Sequence, residues 1–508
     1  MLASLAACSE GAVHVRVEVP QNQALSPMQR DPARLTLTTE RDGEPPQRET
    51  RDTPASPQEA PLNFGEITVG ANARVSLLAE AASGRMVGFG RTSTPLEVAA
   101  GEVLDVTIRL RRPFAYVAGG PALGVFDTTV ESGDPFASEL AGVAQPTAVT
   151  VTPDGGDLLV AASGGLVLVS TSTHARTSAA PVTLRPGASS IAVSPDSRWA
   201  VVVHTPEDEA DQGLSFIDLE ALRRSSTATA AFVKLAGAGA VAVTADTAWA
   251  LVDPSLPGPP PIFAEDCSRP SKLVAVPLAS PMQPRAPIVI AGAARDVAAA
   301  PDGLSLLVAQ RCQNVVTRVA ASGASQLRVF SVPNPNDVAV AGGRVWAVGA
   351  TGEANAVRLV LSSASLDGSS PSRIDFPLTQ ELAESNDLAE DGQIAEVRLG
   401  ADRLDAFALS VLPDGRNVAL LVHGSYHADE VVRSGTVLLP RLDLESYEYL
   451  LVDATTGIAA QRLRTSCSIE WEQGTALLDD WSCASLPGQE TAEVPYIPRQ
   501  AAVLYGGQ

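Results

Sequence analysis

One phrase recurs along most of the chain, and it limits the possible folds more than any other feature. It reads PTAVTVTPDGGDLLVAAS at 146–163, SSIAVSPDSRWAVVVH at 189–204 and GAVAVTADTAWALVD at 239–253. It returns as RDVAAAPDGLSLLVAQ at 295–310, NDVAVAGGRVWAVGA at 336–350 and AFALSVLPDGRNVALLVH at 406–423. Each copy is a strand-length apolar run, a Pro-Asp-Gly-like turn, and a second apolar run. Pro presets φ, Asp caps the turn through its side chain, and Gly accepts positive φ. After most copies a third run follows, such as LVLVSTST at 166–173, LSFIDLEA at 214–221, LVAVPLAS at 273–280 or LRVFSVP at 327–333. One unit is therefore three or four antiparallel strands, repeated every about 40–70 residues, which is the period of propeller blades.

Composition agrees. Hydrophobic residues make up 45% of the chain but aromatics only 4%, so the apolar mass is Ala, Val and Leu, suited to tightly packed sheets. Trp199, Trp249 and Trp346 recur just after the repeat turn and are expected to pack between blades. The phrase resembles the bacterial YVTN-type propeller repeat, which couples an AVSPDG turn to LYVAN and V-x-V-I-D strands. That resemblance implies an all-β propeller over 113–508. It does not fix a function, because the family includes surface-layer, binding and enzymatic members. PFAYVAGGPALGVFDTT at 113–129 lacks a first strand, and PRQAAVLYGG at 498–507 reads as that strand. Pairing the two closes the ring at seven blades and removes exposed sheet edges; without this closure six or eight are the alternatives.

Ahead of the repeat, residues 11–112 alternate differently. VHVRVEV (13–19), ARLTLTTE (33–40), ARVSLLAE (73–80) and VLDVTIRLRR (103–112) have the period of two expected of half-buried strands. They predict a small immunoglobulin-like or transthyretin-like β-sandwich. The Pro-rich, charged stretch 41–61 reads as a loop with no element of its own.

Residues 1–10 form a third unit. Leu5-Ala6-Ala7-Cys8 resembles the bacterial lipobox, in which the Cys is acylated, although no basic segment or full-length apolar run precedes it. The resemblance implies lipid on Cys8, and Ser9, being non-acidic, implies sorting to the outer membrane. With Cys8 set aside, Cys267, Cys312, Cys467 and Cys483 remain, an even number falling as two sequence-adjacent pairs. That pattern fits two local disulfides in an oxidising compartment. No apolar run approaches the length of a membrane span.

The net charge of −22 repels phosphate backbones and disfavours nucleic-acid partners. Catalytic signatures are missing: there is no GxSxG elbow, Walker loop, GxGxxG after a strand, or SxxK. His423 and His427, followed by Asp429 and Glu430, have a spacing that shares a face on a helix, but Gly424 and the preceding apolar strand argue for a strand-to-loop transition with no metal. The aspartates of the repeat turns (154, 196, 302 and 414) are explained by capping rather than by a metal-binding ring. Asp296 and Asp337 precede their strands at equivalent places and are expected at one rim of the channel.

These readings point to a non-enzymatic binding or scaffolding lipoprotein of the envelope, periplasmic or surface-facing, monomeric or part of a larger assembly. It would need no cofactor and would bind a protein or polysaccharide through long loops at 255–272, 369–399 and 464–494. The alternatives are a propeller hydrolase of the lactonase type, or a purely structural envelope component. At least three inward carboxylates or imidazoles converging near the axis with a bound metal would favour the enzyme. An Ala-lined channel would favour binding.

Overall fold

The computed structural model describes residues 11–503 except 42–45, 54–62, 70–72, 93–94, 131–134, 179, 225–227, 253–266, 268, 354–355, 384–395, 429–430, 434–435, 440–441 and 472–499. Cys8 and Cys483 lie outside the described residues. Cys467 belongs to the strand Ala459–Trp471, but its side chain is also outside them.

The chain is all-β. Its first part is two sheets face to face. Gly11–Glu18 sits between Asn63–Val69, antiparallel, and Val103–Arg109, parallel. The second sheet runs in the order Gln47–Asp52, Arg34–Glu40, Arg74–Glu80, Met86–Arg91. Alternate side chains (Val13, Val15, Leu35, Leu37, Val75, Leu77 and Ile108 among them) meet in one core between the sheets, as a period of two requires. The stretch 41–61 is not all loop. Gln47–Asp52 pairs along Arg34–Glu40 as an edge strand. It is largely exposed, so it carries no apolar alternation, and only the backbone ladder reveals it.

The rest is a propeller. Its sheets follow in chain order from Phe114 to Ala459–Trp471, and Gln500–Val503 returns to the first of them. There Gln500 lies opposite Ala118 and Val503 opposite Ala115, antiparallel. The innermost strands are Gln500–Val503, Ala148–Val151, Ala188–Val193, Ala238–Val243, Ala294–Ala299, Asp337–Ala341 and the end of Glu396–Val411, each beside the next and the last beside the first. Seven sheets thus surround one axis, and we number them as blades one to seven in that order.

Packing explains the composition. A separate apolar cluster fills each gap between successive blades: Val201, Val203, Leu214 and Phe216 of blade three meet Val241, Ala248 and Ala250 of blade four. Ala200, Val202 and Ile217 point the other way, onto Ala148, Leu159 and Leu166 of blade two. The middle strands of the blades are buried on both faces, so they read as continuous apolar runs rather than alternating ones, whereas outer strands such as Phe136–Leu140 and Gln326–Ser331 are largely exposed. Blades converge on the axis, so the innermost strands carry Ala, Val, Ser and Thr. Trp249 and Trp346 are buried in such gaps.

The repeat turn is built as its residues dictate. Asp302 accepts the amides of Leu304 and Ser305 at 2.9 and 3.1 Å, and Asp414 those of Arg416 and Asn417, both at 2.9 Å. Gly155, Gly303 and Gly415 close their turns at φ of 66°, 65° and 63°. In blade three the same place is Ser197, at φ 58°.

The sandwich is docked on blade one. Asp127 is buried between Arg112, at 3.0 Å, and Arg30, at 2.6 Å, while Arg109 reaches the repeat-turn Asp154 at 2.9 Å. Leu25, Met86 and Phe89 enter propeller clusters.

Candidate functional site

The channel between the inner strands holds a cavity of about 480 Å³ that runs along Ala188–Val193, Ala238–Val243 and Ala294–Ala299. Its wall is mostly short side chains from blades three, four and five, such as Ser190, Ala192, Ala240, Ala242 and Ala298. Blade seven supplies Phe407 and Tyr447, and the rim adds Thr147, Arg295, Arg311, Asn336, Asp405 and Gln500. A side pocket of about 140 Å³ between blades six and seven shares Arg311, Asn336 and Asp405 with it.

The acidic residues of this wall are committed to structure. Asp296 and Asp337 do face the channel, half-buried, and their carboxyl groups share a hydrogen bond. Burial and the Asp296 charge raise the Asp337 carboxyl well above the ordinary carboxylate range. Burial raises Asp296 as well, against the hydrogen bonds from Asp337 and Val338 that lower it. The pair therefore keeps a proton at pH values where an ordinary carboxyl has lost it, because two adjacent carboxylates in a poorly solvated wall resist ionising together. Asp296 Oδ2 also accepts the amide of Val338, and Asp337 Oδ2 that of Leu409, each at 3.0 Å. Each aspartate thus ties its blade to the next one.

The same device recurs with other residue types. Gln500 Oε1 accepts the Val149 amide at 2.9 Å, and Ser410 Oγ the Val503 amide at 3.3 Å. These four acceptors satisfy inner-edge amides that no ladder pairs. Sequence reasoning placed the two aspartates at the channel but missed this role. For Asp296, Asp337 and Gln500 the available signal was a polar residue at the start of an otherwise apolar inner strand.

Asp405 is buried between two cations. Arg403 Nε donates to its Oδ2 at 2.6 Å, and Arg311 lies 3.4 Å from Oδ1 while donating to Asn336 Oδ1 at 2.7 Å. Arg311 is presented by a short helical turn, Arg311–Gln313. Cys312 in that turn is bonded to Cys267, and their Cα atoms are 5.7 Å apart. Among the described residues, then, this disulfide buttresses the channel rim.

His423 is not at a strand-to-loop transition. The strand Asn417–Ala428 runs through both histidines, because its partner Leu442–Asp453 continues beside it. Four residues of strand separate His423 and His427 by about 13 Å, too far to share a metal. His423 Nε2 instead meets Glu445 at 2.5 Å, and its ring stacks on Tyr447 at 4.6 Å. Burial raises the Glu445 carboxyl, but hydrogen bonds from His423 and Ser425 outweigh it and hold the group below its usual range. Burial raises the Tyr447 hydroxyl. Among the described residues no group of three His, Cys, Asp or Glu side chains is arranged to hold a metal ion.

The loop expectations also change. Ser372–Pro377, inside 369–399, is the outer strand of blade six, and Thr379–Ala383 pairs with the start of Glu396–Val411. Blade seven therefore extends past its fellows at the mouth end. Ser271–Pro277 and Ala459–Trp471 likewise turn parts of the other two long stretches into strands.

No family model and no curated protein matches the chain. Among solved structures it is similar to hydrazine synthase of Kuenenia stuttgartiensis at 14% identity and TM-score 0.39, covering 66% of this chain and 98% of that one. A functionally unknown protein from Desulfotomaculum acetoxidans DSM 771 aligns at 11% identity and TM-score 0.42, covering 69% and 94%. Dihydro-heme d1 dehydrogenase NirN in complex with DHE aligns at 17% and 0.35, covering 69% and 73%. Likenesses this distant carry no functional argument, and the propeller rests on the strand topology above. No described helix is long and apolar enough to cross a membrane.

Proposed function

We propose that this protein is a non-enzymatic binding module of the cell envelope, a propeller of the YVTN-repeat kind anchored through lipid on Cys8, whose partner enters the channel mouth. One observation carries the reading. The channel's acidic side chains already have structural duties: Asp296 and Asp337 bind each other and backbone amides, and Asp405 lies between two arginines. General acid–base or metal chemistry needs such groups free to meet a substrate. What faces the cavity instead is an aromatic wall and short polar side chains, which are recognition chemistry.

The test is capture of envelope components by the full chain, compared with Tyr447→Ala. The reading predicts a captured component that Tyr447→Ala releases and that is recovered chemically unaltered. A product differing from the captured component would favour the hydrolase reading. Incorporation of labelled palmitate, abolished by Cys8→Ser, tests the anchor separately.

A further inference from the structure

We propose that the channel mouth binds the end of a neutral glycan chain. This rests on the channel-mouth reading above and names its ligand class. The first ground is the aromatic wall. Tyr447 and Phe407 both line the cavity and meet edge to face, with ring centroids 6.4 Å apart. The stacked His423 ring, itself held by Glu445, fixes Tyr447 in place. A sugar ring presents a face of polarised C–H bonds, which complements the negative face of an aromatic ring.

The second ground is the hydrogen-bonding complement. Ser189, Ser190, Thr205, Gln500 and Asn336 line the same cavity, all partly exposed to it. Gln500 and Asn336 use their side-chain oxygens on Val149 and Arg311, and among the described residues their amide nitrogens have no acceptor. Neutral donors and hydroxyls exchange hydrogen bonds with a polyol at little net desolvation cost.

The third ground is charge. Asp405 is flanked by Arg311 and Arg403, the Asp296 and Asp337 carboxyl groups are hydrogen-bonded to each other, and Glu445 is hydrogen-bonded to His423. An ionic ligand would lose hydration on entering and would have to compete with the protein partners that these charged groups already have. An extended peptide fares no better, since it would need open backbone edges. The inner-edge amides of Val149, Val338, Leu409 and Val503 are already bonded to side chains. The cavity also lies within the range of about 300–1,000 Å³ typical of small-ligand sites, so it suits a chain end and not a folded domain.

The experiment probes the full-length protein with an array of neutral oligosaccharides covering α- and β-linked hexoses and N-acetylhexosamines. Oligogalacturonates and a random-peptide library run alongside, and hits are measured by titration calorimetry. The expected result is saturable binding of at least one neutral oligosaccharide, with Kd below about 1 mM. Binding should weaken at least about tenfold in Tyr447→Ala and in Asn336→Asp, which keeps the acceptor used by Arg311, and survive in Tyr447→Phe. Melting curves confirm that each variant is folded. If no neutral oligosaccharide binds in this variant-sensitive way, the glycan inference is overturned. Peptides or acidic oligomers that bind and are lost in Tyr447→Ala would overturn it too, while leaving the channel-mouth reading standing. Binding indifferent to every channel variant would sink both.

Discussion

At the scale of single residues, the repeat turn and the channel pair make opposite predictions about what a substitution does. Ser197 holds a left-handed conformation that other copies give to Gly, and its buried hydroxyl has no partner among the described residues. Ser197→Gly removes both penalties against a modest rise in unfolded-state entropy. It should stabilise the protein by about 1 kcal/mol, read from denaturant unfolding. The channel pair predicts a pH effect. The raised Asp337 carboxyl keeps its proton in the native state at pH values where the unfolded chain has released it. Stability therefore falls as pH rises from the ordinary carboxylate range, about pH 4, toward the raised native value. Asn at 337 can accept from Leu409 and donate to Asp296, but it cannot titrate. The stability of Asp337→Asn relative to the wild type should climb with pH over this window, and parallel profiles would refute the shared proton.

At the scale of elements, the sequence displayed the strands whose burial is regular and hid those whose support comes from elsewhere. The inner and second strands of each repeat were legible because PDG turns bracket them and both faces are apolar. The edge strand Gln47–Asp52 and the outer strand Ser372–Pro377 were not, since they are mostly polar and held by ladder bonds. His423 was misplaced because Gly424 suggested a turn. In the fold Gly424 lies within the strand, and a side chain there would collide with the Tyr426 ring. The cysteine pattern did place one staple. The Cys267–Cys312 bond closes a loop with sequence separation 45, and its loss in Cys312→Ser should cost about 2–4 kcal/mol of stability. Since the neighbouring Arg311 holds Asn336 and Asp405 at the channel rim, the same variant should also weaken ligand capture. An unchanged melting temperature in oxidising buffer would contradict this account.

At the scale of the molecule, the ring depends on a four-residue strand. Gln500–Val503 supplies the inner strand of blade one, packs Ala502 and Val503 into the gaps on either side, and binds the amide of Val149. Truncation after Arg499 opens the cycle and should replace a single cooperative thermal transition with a broad, early one in circular dichroism. A retained sharp transition would mean that the other blades close without it. The sandwich adds a second constraint, since Asp127, Arg112 and Arg30 fix it to the blade that this strand completes.

The most direct test of the whole account compares envelope-ligand capture by the wild type, by Asp296→Asn/Asp337→Asn and by Tyr447→Ala, with the captured ligand identified by mass spectrometry. The account predicts that the double Asn variant captures like the wild type, that Tyr447→Ala does not, and that the ligand returns unaltered. Capture or turnover that requires the carboxyl pair, with a chemically changed ligand released, would contradict it.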